Sequence, residues 1–164
     1  AGGFGQANSL KVVKEIRKIK YNNFKIIVVC GKNQQQKDRI DNYVKKHNLK
    51  NVICYGFVNN VDELMSASDA ILTRGGNTIN EALLKNLIPI IREGVVANEL
   101  LNKKLFIKNN VGLGIDRLKD LTPLICDMIE NPQKIDDMKK NISTFIKRDA
   151  VKNMAEFIEK NNAK

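Results

Sequence analysis

The chain has 164 residues, a formal net charge of +10 at pH 7 and 43% hydrophobic residues. This length and apolar content are typical of a single folded domain with a sizeable core, and they exclude a disordered chain. No apolar run approaches the roughly 20 residues of a membrane-spanning helix, and no signal-peptide pattern is present. The positive charge suits an anionic membrane surface, a phosphorylated ligand or a nucleic acid.

The first half of the chain alternates apolar runs with amphipathic stretches. A glycine-rich segment, residues 1–7, precedes a helix that Asn8 or Ser9 can cap, with apolar residues at positions 10, 13, 16 and 19. Continuous apolar runs are typical of buried parallel strands, and 3.6-residue periodicity is typical of helices. These patterns predict strand 26–30, helix 34–47, strand 52–55, loop 56–60 and helix 61–67.

The middle of the chain combines a strand, a double glycine and a helix. An apolar strand at 70–72 is followed by Gly75 and Gly76, and then by a helix that Asn77 or Thr78 can cap through a side-chain oxygen. Glycines let a ligand approach the backbone, and the start of a helix attracts anions. This pattern predicts a phosphate or diphosphate site, the alternative being an ordinary tight strand–helix turn.

That middle helix separates an apolar face from a polar one. Glu81 lies about one turn into it, on the polar face, where its carboxylate can accept hydrogen bonds from a sugar hydroxyl beside the diphosphate. The alternative is a solvated carboxylate. The apolar face carries Ile79, Ala82, Leu83 and Leu87.

The second half continues the same alternation. It predicts strand 88–91, a polar-tipped loop at 92–99, helix 98–108, strand 111–115, helix 118–129 with Pro123 in its first turn, and two further amphipathic helices after a break at 131–132. Alternating strands and helices predict an α/β fold in which helices cover both faces of a parallel sheet.

Two kinds of side chain are not expected to act in a site. Cys30, Cys54 and Cys126 lie far apart in apolar runs without a Cys-x-x-Cys spacing, so free buried thiols of a cytosolic protein are expected rather than metal ligands. His47, the single histidine, ends a polar helical stretch and is expected to be solvated.

Three segments, in this order along the chain, resemble the donor-binding domain of glycosyltransferase family 28. They are DAILTRGGNTINEA at 69–82, LIPII at 87–91 and ANE at 97–99. The opening Gly2-Gly3-Phe4-Gly5 is similar to the first loop of that family. The resemblance implies that residues 1–164 form one Rossmann-like domain, the C-terminal half of a GT-B glycosyltransferase. It also implies that an N-terminal acceptor domain is absent from this chain.

The resemblance also implies a role for particular residues around a uridine-diphosphate sugar. The backbone at Phe57 and Val58 would read the uracil, Glu81 would hold the ribose, and Asn98 and Glu99 would hold the hexose hydroxyls. Asn98 has an alternative role as a plain helix N-cap. The diphosphate would be faced by Gly3, Gly5, Gly75, Gly76, Asn77 and Thr78, with Arg74 as a phosphate clamp.

The implied reaction is transfer of a hexose from a UDP-sugar to a membrane lipid, with diacylglycerol as the expected acceptor. The alternatives are MurG-like transfer of N-acetylglucosamine to a lipid-linked peptidoglycan precursor, or a non-catalytic UDP-sugar-binding module completed by a partner subunit. The catalytic base is expected in the missing domain, so no catalytic residue is assigned here.

No Asp-x-Asp pair lies near the glycine turns, so we expect neither a metal ion nor another cofactor in donor binding. The charge of +10 favours contact with anionic lipid headgroups, and together with the resemblance it predicts a peripheral enzyme on the cytoplasmic face of the membrane. Nucleic-acid binding is not favoured, because aromatic residues make up only 5% of the chain and tryptophan is absent.

Overall fold

The computed structural model describes residues 9–74, 76–92, 97–146 and 149–162. The strands are β1 Ile26–Val29, β2 Val52–Tyr55, β3 Ala70–Thr73, β4 Ile88–Arg92 and β5 Leu113–Ile115. The helices are α1 Ser9–Ile16, α2 Gln34–Lys46, α3 Val61–Ser66, α4 Thr78–Leu84, α5 Ala97–Lys108, α6 Leu121–Glu130, α7 Pro132–Phe145 and α8 Ala150–Asn162, and a 3-10 turn, Leu118–Asp120, leads into α6.

The strands pair in parallel, in two separate groups. β1 pairs with β2, placing Ile26 opposite Val52, and β4 lies between β3 and β5, with Ala70 opposite Ile88. The predicted α/β class is therefore confirmed, but the single sheet is divided, because β1 and β3 are not hydrogen-bonded to each other. Periodicity identifies a strand and not its neighbours, so the sequence did not indicate this division.

Helices cover β4 from both sides. On one side α4, α5 and α7 enclose Ile91, together with Phe106 and Ile142, and on the other α1 and α6 enclose Ile90, together with Leu121. Successive residues of a strand face opposite sides of the sheet, which explains why neighbouring isoleucines belong to different clusters. The predicted two-sided cover is present, and β4 is the most deeply buried strand.

Helix α1 joins the two groups of strands. Its Val13 packs with Cys30 and Ile40 beside β1 and β2, whereas Ile16 packs with the cluster that contains Ile90. Ile19 is buried as predicted but lies beyond the end of α1 at Ile16. Helix α1 therefore packs against both strand groups, whose described strands share no backbone hydrogen bonds with each other.

Asparagine ends three of the helices. Asn48, Asn86 and Asn110 follow α2, α4 and α5 with φ of 50°, 57° and 51°. After each, the next amide donates back to the last turn; for α4, Leu87 donates to the Ala82 carbonyl at 2.9 Å. This is the Schellman arrangement, in which the following apolar residue turns back onto the helix. Leu87 is accordingly buried as predicted, but outside α4.

The predicted side-chain cap at the start of α4 is wrong. Asn77 occupies the N-cap position with helical backbone angles, φ −54° and ψ −27°, and no side-chain capping hydrogen bond forms. A capping side chain normally needs an extended backbone at that position. Instead, the carbonyls of Gly76 and Asn77 accept hydrogen bonds from the amides of Ile79 and Asn80.

Candidate functional site

The carboxyl ends of the strands define one edge of the molecule where a ligand can bind. In open α/β sheets, ligands lie beyond this edge. The described loops there are residues 31–33 after β1, 56–60 after β2 and 74–77 after β3, with residue 75 outside the described part. Except for Gly3 and Gly5, the predicted uracil, diphosphate and ribose residues belong to these loops and to the first turn of α4.

A surface groove of about 350 Å³ lies between α3 and α4. The exposed Glu81 of α4 and Asn59 of the loop after β2 both line it, so the predicted ribose carboxylate lies beside the predicted uracil loop. Val61, Met65 and Leu84 supply apolar surface to the same groove. Its remaining lining residues, Asp62 and Lys85, form an ion pair with 3.9 Å between Oδ2 and Nζ.

The turn after β3 leaves its backbone open. Gly76 is exposed, and a Cβ placed on it would meet no atom within 4 Å. Arg74 and Asn77 are also exposed, while Thr78 is half-buried. An open backbone with a cation beside it is compatible with an approaching anion, which is what the diphosphate prediction requires.

The loops after β1 and β2 touch each other. Phe57 is 60% exposed, and the Lys32 Nζ lies 5.7 Å from the centre of its ring. Val58 beside it is half-buried. The cation over the ring face is a cation–π contact, which favours this side-chain arrangement at the edge of the site.

Several predicted site residues lie wholly or partly outside the described part. Gly3, Gly5 and Gly75 fall on residues that the structure does not describe. Asn98 and Glu99 are described only through their backbone, in the first turn of α5, which begins at Ala97. The alternative role of Asn98 as an N-cap therefore does not hold, because it lies inside the helix.

Lys103 is a polar residue of this edge that the sequence did not reveal. Its side chain is only 11% exposed, and its Nζ donates to the Ile115 carbonyl at 3.1 Å and to Asp116 Oδ1 at 2.5 Å, just where β5 ends. Gly114 makes room for it, since a Cβ there would lie 2.7 Å from the Lys103 Cε. A lysine in a helical pattern carries no signal of such burial, which depends on the neighbouring strand.

His47 lies away from this edge, before the start of β2. Its side chain is half-buried, with the ring 4.3 Å from that of Tyr43 and Nδ1 3.2 Å from Arg17 Nη1 in an exposed contact, so it is partly solvated. Burial and the Arg17 charge lower the pKa of His47.

A second groove, lined by Asn86 and Ser143 among others, is also remote from the carboxyl ends of the strands, since Asn86 precedes the amino end of β4.

Cys30 and Cys54 lie side by side where β1 and β2 end, with their sulfur atoms 3.6 Å apart. Burial, followed by the contact with Cys30, raises the pKa of Cys54 to about 12. Both are free thiols, as predicted, and a thiol held neutral is a poor nucleophile and metal ligand.

Among the described residues, no group of three or more His, Cys, Asp or Glu side chains could hold a metal ion. Metal-independent donor binding stays a prediction.

The sequence profile named "Glycosyltransferase family 28 C-terminal domain" matches residues 2–154. The chain belongs to glycosyltransferase family 28. Among curated relatives, the processive diacylglycerol beta-glucosyltransferase of Bacillus pumilus is 28% identical over 146 residues, which make up 86% of this chain and 37% of that protein. Monogalactosyldiacylglycerol synthase 1 of Arabidopsis thaliana is 27% identical over 145 residues, covering 84% of this chain and 26% of the relative. This family 28 chain thus spans well under half the length of either relative.

Solved structures share the fold of this family 28 domain. Anabaena HepE in complex with UDP-glucose aligns with a TM-score of 0.65 and 17% identity, over 88% of this chain and 41% of that protein. WaaG, a glycosyltransferase involved in lipopolysaccharide biosynthesis, aligns with a TM-score of 0.62 and 17% identity, over 88% of this chain and 39% of that one. These neighbours are GT-B glycosyltransferases, which confirms the predicted fold. The roles of individual residues stay predictions.

No helix in the described ranges is both long and apolar enough to cross a membrane.

Proposed function

We propose that this chain is the donor-binding domain of an enzyme that transfers glucose or galactose from a UDP-sugar to diacylglycerol. The observation that carries the proposal is the groove shared by Glu81 and the loop after β2, beside the open turn at Gly76. Relatives named for diacylglycerol glycosylation support the lipid acceptor.

The nucleoside half of the donor would occupy the groove between α3 and α4. Glu81 would accept hydrogen bonds from a ribose hydroxyl, and the backbone at Phe57 and Val58 would read the edge of the uracil. The apolar side chains of Met65 and Leu84, which line this groove, would pack against the nucleoside. A base edge read by backbone groups distinguishes uracil from adenine, because the two present different donors and acceptors.

The diphosphate would lie over the turn after β3. The barrier to hexose transfer is the charge that develops on the diphosphate as it leaves, and fixed N–H groups stabilise such a charge without a metal ion. Arg74, exposed next to this turn, would add a positive charge. Asn98 and Glu99 would hold the hexose. The base that deprotonates the acceptor, and most of the acceptor site, belong in this proposal to an N-terminal domain, in a peripheral enzyme on the cytoplasmic face of the membrane.

Uridine selectivity is tested by the thermal stability of the domain with millimolar UDP, UDP-glucose or ADP. Against a submillimolar site, the uridine ligands should raise the free energy of unfolding by about 1 kcal/mol or more. ADP should give a clearly smaller effect. An equal response to ADP and UDP would contradict the uracil assignment.

The ribose role is tested with Glu81→Gln. Losing the charge-assisted hydrogen bond, worth about 1.5–3 kcal/mol, should weaken UDP binding by about ten- to a hundred-fold in calorimetry. Glu156→Gln is the matched control, since it removes the same charge from an exposed position on α8. Unchanged UDP affinity in Glu81→Gln would show that Glu81 is a solvated helix carboxylate.

The acceptor is tested with the full-length enzyme. UDP-glucose, UDP-galactose and UDP-N-acetylglucosamine are each offered with diacylglycerol and with a lipid-linked muramyl peptide. Transfer of glucose or galactose to diacylglycerol is the expected result. Transfer from the N-acetylated donor alone would overturn the glycolipid proposal.

A further inference from the structure

Helix α5 is apolar on both of its sides. Phe106, only 5% exposed, faces the core, yet four large apolar side chains lie on the surface: Leu100 at 42%, Leu101 at 63%, Leu105 at 47% and Ile107 at 46% exposure. A helix at the surface of a globular protein normally carries polar residues on its outer side. The outer side of α5 is thus more apolar than the solvent-facing side of an ordinary surface helix.

Two lysines complete this surface. Lys104 and Lys108 are exposed and lie three and seven residues after Leu101, so that Leu101, Lys104, Leu105 and Lys108 form one row along the helix. We call Leu100, Leu101, Lys104, Leu105, Ile107 and Lys108 the α5 outer face. It contains no acidic residue. Leucines can enter the acyl boundary of an anionic bilayer while neighbouring lysines lay their apolar stems along it and extend their charges to the headgroups.

We propose that the α5 outer face contacts the surface of an anionic lipid bilayer. This rests on the proposed function in one respect: a lipid acceptor resides in a bilayer. α5 begins at Ala97, so its first turn carries Asn98 and Glu99, the residues proposed to hold the hexose. Contact along this helix would therefore bring the sugar end of the donor site to the membrane.

The charge of the α5 outer face favours a bilayer over a second copy of the chain and over a nucleic acid. A second copy of the chain would bring lysines of like charge together, in a protein whose net charge is already +10. A nucleic acid would match the lysines but leave four apolar side chains without a partner. An anionic bilayer matches both, because its headgroups are negative and its acyl boundary is apolar.

Helix α8 provides an internal comparison. It also exposes large apolar side chains, with Met154 at 65%, Phe157 at 68% and Ile158 at 51% exposure. The four charged side chains of α8, Lys152, Glu156, Glu159 and Lys160, sum to zero, whereas the α5 outer face carries two lysines and no carboxylate. The two helices therefore differ in charge rather than in exposed apolar surface, which makes α8 a matched control.

The test is flotation of the whole chain with vesicles of phosphatidylcholine alone, or with about a quarter phosphatidylglycerol. The wild type should float only with the anionic vesicles. Leu101→Ser with Leu105→Ser should lower the partition coefficient at least about ten-fold, because both leucines lose apolar burial. Lys104→Gln with Lys108→Gln should lower it about twenty-five-fold, since each basic residue near the surface contributes about five-fold.

Two double variants serve as controls. Phe157→Ser with Ile158→Ser removes exposed apolar surface from α8, and Lys45→Gln with Lys46→Gln removes the same net charge from α2. Both should keep wild-type flotation within about two-fold. Circular dichroism establishes that each variant is folded.

The proposal is overturned if the α5 variants float like the wild type, or if the controls lose flotation equally. It is also overturned if the leucine variant only turns a dimer into a monomer in light scattering, which would assign the face to a second copy. UDP binding is measured on the same samples. If the α5 variants lose flotation but still bind UDP, the membrane face is supported independently of the donor site. If the wild type floats but does not bind UDP, only the proposed function is contradicted.

Discussion

Two of the three cysteines meet in the folded chain although 24 residues separate them in the sequence. Cys30 follows β1 and Cys54 lies in β2, and the parallel pairing of these strands brings the two sulfur atoms together. Their burial favours the neutral thiol, so the pKa of each is raised. This pair therefore acts as core packing beneath the loops of the site rather than as a reactive centre.

We expect Cys54 to resist alkylation. With its pKa at about 12, the thiolate fraction at pH 8 is far below that of a free cysteine, so iodoacetamide should label Cys54 much more slowly in the native protein than in urea. Peptide mass spectrometry measures the two rates. Equal rates in the native and unfolded states would contradict the burial of this thiol.

The same shift gives a pH dependence of stability. The thiolate is disfavoured in the folded state, so the contribution of Cys54 is complete below the ordinary pKa of 9.0 and is lost as the pH rises towards 12. Urea unfolding of the wild type and Cys54→Ala over this range should show a steeper loss in the wild type. A parallel loss in both would contradict the shifted pKa.

At the scale of elements, asparagine decides where α2, α4 and α5 stop. Each stops before an asparagine with positive φ, and the following apolar residue, as at Leu49 or Leu87, donates back to the helix. Asparagine tolerates this left-handed conformation better than other residues with a side chain. The periodicity of the apolar residues runs through these positions, which is why the sequence predicted Leu87 as part of the helical stripe.

Asn86→Ala should lower the free energy of unfolding by about 1 kcal/mol, because alanine is strained where φ is positive. Asn86→Gly should cost less, since glycine adopts this conformation freely. Both substitutions remove the weak 3.4 Å contact with Ser143, so their difference in urea unfolding isolates the backbone effect.

Asn80→Ala, on the exposed side of the same helix, is the control and should leave stability unchanged or slightly raised. If Asn86→Ala and Asn86→Gly were equally stable, the left-handed conformation would not limit the end of α4.

At the scale of the whole molecule, the strands are not equally protected. β4 is paired on both sides and buried from Ile88 to Ile91, whereas β1 and β3 each have one hydrogen-bonded neighbour among the described strands. Both are short apolar runs without the charges or prolines that usually protect a sheet edge. Among the described strands, β4 therefore has the most backbone pairing and the deepest burial.

Hydrogen exchange followed by NMR should reflect this difference. Amides of β4 should exchange most slowly, and amides of β1 and β3 that point away from β2 and β4 should exchange faster than their ladder-bonded neighbours. Uniform protection along β1 and β3 would contradict the division, because it would require a hydrogen-bonding partner on their other edges.

The sequence by itself determined the strands and helices, the α/β class and the family. These follow from short-range information: apolar periodicity, and a glycine turn with fixed neighbours at 69–82. Tertiary structure alone decided the division of the sheet, the adjacency of Cys30 and Cys54, the burial of Lys103 and the shared groove of Asn59 and Glu81. Each of these depends on which elements lie beside one another, and local periodicity carries no information about that because packing between distant segments is set by the whole core.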